Sequence, residues 1–444
     1  MSFPAMLGRR LPAPVRRLAR SPFLRNVAVL ATGTAAAQVL TALAYPLLVR
    51  LFSPAEFGLF ALFGALNMTM VVVASGRYEL AIVLARTPEE AMNILALAML
   101  VVMGAVALTA GAVAAAGEQI LNLFGAGELG ALAWFLPLAV FASSSNTVLT
   151  FWGTRDANFK AIAVSQIWRS FGVAVLQIMA GLARWGTPGL ILGQIGGSMM
   201  ATVALTRQFK GELRAILSSL SWSEMGRMAR EHASFPLYNA PAALVNSTTV
   251  TLPPLLMTAL FSPTMAGLYW FTYRLLELPM NLIGTATRRV FYGEAVARVR
   301  RRAPVMGFFL RITGSMAVLA VAPTVVLMLV GPQLYALVFG EAWREAGVYA
   351  QWIVVWWFMR FVSVPAFMLA PVFDLQRFVL VAEIAALIPR LLVFPIAAAY
   401  SAPLSGVAAY ALIGIAQHLA MTPVVIRRIR QHDAEVATRS ADLS

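Results

Sequence analysis

The sequence predicts an all-α polytopic membrane protein, with about twelve transmembrane helices in two pseudo-symmetric six-helix lobes. Three observations carry that reading. Hydrophobic residues make up 60% of the 444 and charged residues only 12%, too little charge to cover a soluble domain of this length. The apolar residues gather into stretches of about 20 or more, the length that crosses the hydrocarbon of a bilayer. A ten-residue phrase also occurs twice between apolar spans: Leu51-Phe52-Ser53-Pro54-x-x-x-Gly58-Leu59-Phe60, and Leu260-Phe261-Ser262-Pro263-x-x-x-Gly267-Leu268-Tyr269. Ser-Pro favours a turn and Pro suits the first position of a helix, so each copy closes one span and opens the next.

In chain order the elements are as follows. Residues 1–26 are a basic lead-in with Arg9, Arg10, Arg16, Arg17, Arg20 and Arg25 among prolines and leucines. A full-length span follows with no small-residue cleavage pattern, so the stretch is expected to be cytoplasmic rather than a cleaved signal. The first lobe, 27–206, holds spans 27–49, 57–84, 91–116, 129–153, 158–182 and 187–206. Residues 207–233 form a linker, expected as a surface helix with Leu213, Ile216, Leu217 and Leu220 on one side. The second lobe, 234–426, holds spans 234–258, 264–288, 304–330, 346–371, 376–399 and 402–426. Residues 427–444 are a tail.

Charge sets the orientation. The segments on the side of the N-terminus hold Arg207, Arg214, Arg227, Arg230, Arg288, Arg289, Arg298, Arg300, Arg301, Arg302, Arg427, Arg428 and Arg430. The opposite connections hold only Arg50, Arg184 and Arg344. Positive-inside asymmetry places both termini in the cytoplasm. An even number of spans per half makes the repeats parallel, as in transporters whose substrate site lies between repeats. The net charge of +15 sits in loops and tails, where lipid and membrane orientation explain it without nucleic acid. Without cysteine, disulfides, thiolate nucleophiles and Cys-bound zinc are excluded.

Two regions resemble a known family. The first runs Pro46-Leu47-Leu48-Val49-Arg50-Leu51-Phe52-Ser53-Pro54-Ala55-Glu56-Phe57-Gly58-Leu59, then Gly76-Arg77-Tyr78-Glu79-Leu80-Ala81. The second has Phe235-Pro236-Leu237-Tyr238-Asn239-Ala240-Pro241, Gly267-Leu268-Tyr269, Arg274-Leu275-Leu276-Glu277-Leu278-Pro279 and Val290-Phe291-Tyr292. Over roughly 26–90 and 233–300 the chain resembles bacterial polysaccharide biosynthesis flippases of the multidrug/oligosaccharidyl-lipid/polysaccharide exporter (MOP) superfamily. The resemblance implies a central cavity lined by spans 1, 2, 7 and 8. It implies a polyprenyl-pyrophosphate-linked oligosaccharide as substrate, moved across the bacterial inner membrane by alternating access. An H+ or Na+ gradient, a polysaccharide polymerase and a chain-length regulator are the partners it implies, and the product would feed O-antigen, capsule or exopolysaccharide. It implies no cofactor.

A charge inside a bilayer is costly, so each one needs a reason. Arg274 lies near the middle of a span that the resemblance assigns to the cavity, with Glu277 three positions on and so on the same helix face. Either the two brace the lobe as an ion pair, or Arg274 meets a pyrophosphate oxygen while Glu277 holds it until substrate or a coupling cation arrives. A planar, permanently charged guanidinium suits the second role. Arg77, Arg169, Arg360 and Arg390 are further candidates for the pyrophosphate, with structural pairing or snorkelling as their alternative; Arg311, near a span end, snorkels. Glu79 and Glu383 join Glu277 as coupling-ion or charge-pair candidates, although Glu79 is two residues from Arg77, poor spacing for a pair on one helix. Gln38, Asn239 and Asn246 are candidate sugar contacts. Trp352, Trp356 and Trp357 suit sugar stacking or core packing. Pro236, Pro241, Pro253 and Pro254 predict a bent or opened seventh span.

Two other functions are weighed. A membrane glycan polymerase or ligase would carry clustered carboxylates or bases on a sizeable outward loop; here those loops are short. His232, His418 and His432 are scattered at or near cytoplasmic positions, and they form no triad or metal set. A drug or organic-cation exporter of the same superfamily would favour carboxylates at depth, whereas arginines outnumber them here.

Overall fold

The computed structural model describes residues 22–123 and 127–441; most of the expected lead-in over 1–26, and the last three residues of the tail, lie outside the described residues. The chain is 90% helical with no strand among the described residues. In order the helices are α1 (Pro22–Leu51), α2 (Pro54–Ala74), the short α3 (Glu79–Ile82), α4 (Pro88–Leu123), α5 (Leu136–Arg155), α6 (Phe159–Leu182), α7 (Thr187–Ile216), α8 (Trp222–Glu231), α9 (Ala240–Leu260), α10 (Pro263–Arg300), α11 (Met306–Phe339), α12 (Arg344–Val362), α13 (Val364–Leu369), α14 (Gln376–Ala399) and α15 (Pro403–Ala441). Among the described residues nine helices are long and apolar enough to cross a membrane, or ten if Phe235–Thr248 and Val250–Leu260 form one interrupted span. Helices α10 and α12 stand where two further spans were expected, but Arg274, Glu277 and Arg360 with their aromatic neighbours make them more polar.

Two expected elements are drawn differently. The span over 57–84 is not one helix: α2 ends at Ala74, and Gly76 and Arg77 follow with φ of 59° and 62°. Left-handed backbone at successive residues ends a right-handed helix. The linker over 207–233 is not one surface helix either. α7 meets no Pro before Ile216, so it runs ten residues further and sets Leu213 against the apolar core. The amphipathic piece is α8, with Met225 and Met228 buried and Trp222 exposed. On its polar side Arg227 pairs with Glu224 at 2.6 Å and Glu231 at 3.4 Å.

The chain divides into two compact units. The first comprises Met1–Ala44, Leu66–Ala116 and Ala131–Thr248. Its core gathers Tyr78, Ile82, Ile94, Val102, Val148, Trp152, Leu205, Phe209 and Met228. Helices α6 and α7 meet along a seam of small residues, where a Cβ on Gly197 would come within 2.7 Å of the Val173 backbone nitrogen. Small residues at such seams let membrane helices approach closely. Gln177 crosses this seam to donate to the Leu190 carbonyl at 2.9 Å.

The second unit comprises Tyr45–Ala65, Gly117–Gly130 and Thr249–Ser444. Its centre is aromatic: Phe271 packs against Tyr45, Phe57, Tyr335, Phe339 and Trp343. The Trp343 indole donates to the Val49 carbonyl at 2.7 Å. A second cluster joins Phe291, Phe309, Leu369, Val425 and Ile429. The last helix continues past the expected span, and Asp433 on it accepts hydrogen bonds from the Val305 and Met306 amides at 2.8 and 2.9 Å. Those are two of the free amides at the start of α11. In the connection before α12, the hydrogen bond from Arg344 holds the Glu341 carboxyl below the usual carboxylate range.

Both copies of the repeated phrase do what their residues predict. Ser53 and Glu56 bond reciprocally at the start of α2: the Ser53 amide donates to Glu56 at 2.6 Å and the Glu56 amide to Ser53 Oγ at 3.3 Å, a capping box. Ser262 caps α10 by accepting from the Met265 amide at 3.2 Å. The two copies also pack on each other within the second unit. A Cβ on Gly58 would collide with the Pro263 carbonyl, and one on Gly267 with the Pro54 carbonyl. The crossing is reciprocal, backbone against backbone.

Candidate functional site

α10 sets Arg274 and Glu277 one turn apart, and Arg274 Nη1 donates to Glu277 Oε2 at 2.7 Å. The Arg274 side chain is 39% exposed and that of Glu277 24%, so the guanidinium keeps an open face for a further acceptor. The phenol of Tyr45, from α1, lies beside Arg274. Tyr273 stands beside Arg274 and also beside Arg360.

Arg360 and Arg390 enter the same neighbourhood from α12 and α14. The Arg360 guanidinium sits 4.7 Å from the Trp357 ring centre. That of Arg390 sits 5.3 Å from both Trp356 and Tyr410. Tyr273 meets Trp357 edge-on at 5.3 Å, and Trp356 meets Tyr410 edge-on at 5.5 Å. Cations over aromatic faces recover part of the cost of leaving water. Neither Glu383 nor Arg390 has an ion pair among the described residues, and Glu383 lies within electrostatic reach of Tyr410. Seven residues put them on one helix face but two turns apart. Of the Trp trio, Trp352 is exposed while Trp356 and Trp357 are buried.

In the first unit Arg77 and Glu79 do pair, at 3.3 Å, against the spacing argument. Residues two apart diverge on a helix, but here the left-handed turn at 76–77 replaces it. Glu79 is 2% exposed and also accepts from the Ser75 hydroxyl. The Tyr78 hydroxyl donates to the Ala229 carbonyl at 3.3 Å, tying the turn to α8. The remaining candidates also belong to this unit: Gln38 is half-buried on α1, Arg169 is exposed on α6, Asn239 is exposed in the π-turn before α9, and Asn246 is exposed on α9.

Four participants escape sequence reasoning. Tyr45, Tyr273 and Tyr410 are aromatic residues in apolar spans, with no signal beyond packing. His418 is buried on α15, its ring 5.2 Å from Phe367. Chemically this part of the second unit presents three guanidiniums, the paired carboxylate of Glu277, Glu383 within reach of Tyr410, and a wall of rings. Such a set suits anions and offers planar faces. Among the described residues no group of His, Asp and Glu fits a metal ion.

The profile of the family described as "Polysaccharide biosynthesis protein" matches residues 47–348. Among solved structures, an inward-facing multidrug resistance MATE family transporter of the MOP superfamily aligns with a TM-score of 0.69 at 14% identity, over 89% of this chain and 96% of that one. The lipid II flippase MurJ, in an inward closed conformation, aligns with a TM-score of 0.68 at 11% identity, over 92% and 90%. A MOP superfamily transporter from Pyrococcus furiosus aligns at 0.55 with 15% identity, over 94% and 98%. No curated protein sequence matches. At such identities the structural likeness is one of fold. The chain belongs to the polysaccharide biosynthesis protein family, and its fold is that of the MOP-superfamily transporters.

Proposed function

We propose that this transporter is a flippase that carries a polyprenyl-pyrophosphate-linked oligosaccharide across the bacterial inner membrane for surface polysaccharide assembly. The observation that carries the reading is Arg274: a permanent cation inside a membrane-embedded helix, paired yet 39% exposed, in a chain of a polysaccharide biosynthesis family. A guanidinium fork suits two oxygens of a pyrophosphate, and a charge-assisted bond of this kind is roughly twice as strong as a neutral one. Glu277 occupies the fork in the substrate-free state. Substrate displaces the carboxylate, which is then free to take a proton or sodium ion, and this exchange couples transport to the gradient by alternating access.

The test follows polyprenyl-pyrophosphate-linked oligosaccharide in cells lacking the protein, with wild type or Arg274→Ala supplied at equal membrane abundance. The expected result is a cytoplasmic-leaflet backlog that wild type clears and the variant does not. Cells that accumulate no lipid-linked glycan, and become sensitive to cationic drugs instead, would overturn the reading in favour of an organic-cation exporter.

A further inference from the structure

Two apolar side chains are held outward at the start of α8. Trp222 is 77% exposed and Leu220, two residues earlier, is 39% exposed, while Met225 and Met228 on the same helix are buried. The display is rigid. Ser221 between them is extended, with φ −144° and ψ 130°, so its two neighbours share the side opposite its own. Asn93, itself buried, uses both ends of its amide on the flanking backbone. Its Nδ2 donates to the Ser219 carbonyl at 3.0 Å, and its Oδ1 accepts from the Ser221 amide at 3.0 Å. Nδ2 also donates to the Glu89 carbonyl at 2.9 Å, so the clamp is fixed to the first turns of α4.

Depth follows from α4. Its first turn carries Glu89 and Glu90, and Ala91, Met92, Ile94 and Leu95 come next, near the start of the candidate membrane span Pro88–Gln119. A helix enters the bilayer where charge gives way to apolar residues. Asn93 lies at that step and holds Leu220 and Trp222 beside it. Charge does not draw α8 to a surface: Glu224 and Glu231 match Arg227 and Arg230 in number, and Arg227 is engaged by Glu224, Glu231 and Glu90. Trp, by contrast, suits membrane–water boundaries, with an apolar ring and an N–H that stays wet. We propose that Leu220 and Trp222 dock into the phospholipid leaflet beside α4, roughly 5–10 Å into the boundary between head groups and acyl chains. The occupant of this patch is lipid rather than a protein. Through Tyr78, which bonds to Ala229 on α8, the anchor also sets the depth of the turn that carries Arg77 and Glu79.

The chain has no cysteine, so a single one can carry a polarity-sensitive fluorophore. Leu220→Cys, Trp222→Cys and Ser223→Cys are each labelled with a nitrobenzoxadiazole dye in the full-length protein and placed in phosphatidylcholine nanodiscs. Iodide serves as the aqueous quencher, and lipid with a nitroxide near its head group as the membrane quencher. Labels at Leu220→Cys and Trp222→Cys are expected to emit further to the blue, to escape iodide and to be quenched by the nitroxide. Ser223 is exposed, and its hydroxyl meets that of Ser221 at 2.7 Å on the other side of the segment. Its label is expected to stay open to iodide, which controls for the affinity of the dye itself. Adding phosphatidylglycerol is expected to leave the pattern unchanged. Equal iodide access at Trp222→Cys and Ser223→Cys, in protein that elutes as one folded species, would overturn the proposal. So would lipid contact that appears only with phosphatidylglycerol, because charge rather than the two apolar side chains would then hold the segment. The readout needs no transport, so it stands or falls apart from the flippase reading.

Discussion

Arg274 bears on both stability and transport, and the two roles separate experimentally. A lone arginine at the centre of a membrane helix costs at least about 2.5–3.5 kcal/mol on insertion scales, and Glu277 at 2.7 Å offsets part of this. If the pair only braced α10, removing both charges together would leave transport intact. We expect otherwise. Arg274→Ala should slow glycan translocation at least about tenfold, as loss of a charge-assisted bond of about 1.5–3 kcal/mol implies. Arg274→Lys should recover only part, since an ammonium lacks the planar fork. The double variant Arg274→Gln/Glu277→Gln should stay as slow as the single; a wild-type rate would make the pair purely structural. This pair was legible from the sequence because three residues on a helix have a fixed geometry. Arg77 and Glu79 were misread because that geometry was applied to a stretch the chain does not fold as a helix. The tyrosines around Arg274 and Arg360 were invisible, since an aromatic residue in an apolar span looks the same in lipid and in a site.

Helix boundaries were legible wherever the chain punctuates itself chemically. Ser53-Pro54 and Ser262-Pro263 start α2 and α10 as their caps predict. The extension of α7 was not legible, because nothing between Pro188 and Ile216 breaks a helix and apolar length says only where a span must be, not where a helix stops. The glycine crossing also lay hidden: the phrase repeats in sequence, but only folding shows that its copies touch. Gly58→Ala and Gly267→Ala should each lower stability by about 1–3 kcal/mol, the usual cost of overpacking, because the obstacle is backbone and cannot turn aside. Gly64→Ala on the same helix meets nothing within 4 Å and should leave the thermal midpoint unchanged. Ser262→Ala should cost roughly 1 kcal/mol through the lost cap, a smaller drop in the same measurement.

For the whole molecule, composition settled the class and charge asymmetry predicts the topology. The chain has no cysteine, so single cysteines report sidedness without background. In intact cells Ser401→Cys, in the turn between α14 and α15, should react with a membrane-impermeant maleimide. Ser223→Cys and Glu435→Cys should react only after permeabilisation. Labelling of Ser223→Cys from outside would invert the orientation read from the arginines. The division into compact units was less legible than the lobes implied by the repeat. Hydropathy marks each helix as a whole, whereas Tyr45–Ala65 folds with Thr249–Ser444, and the reciprocal glycines that join these segments have no hydropathy signature.

Those glycines have a mechanical consequence. Where helices interlock by side chains, knobs set the spacing; at Gly58 and Gly267 there are no knobs, and the two backbones set it themselves. α10 continues from Gly267 to Arg300 with Pro279 inside it, a point where a helix bends. A single methyl group on either glycine would wedge the two backbones apart and shift every contact that depends on their spacing.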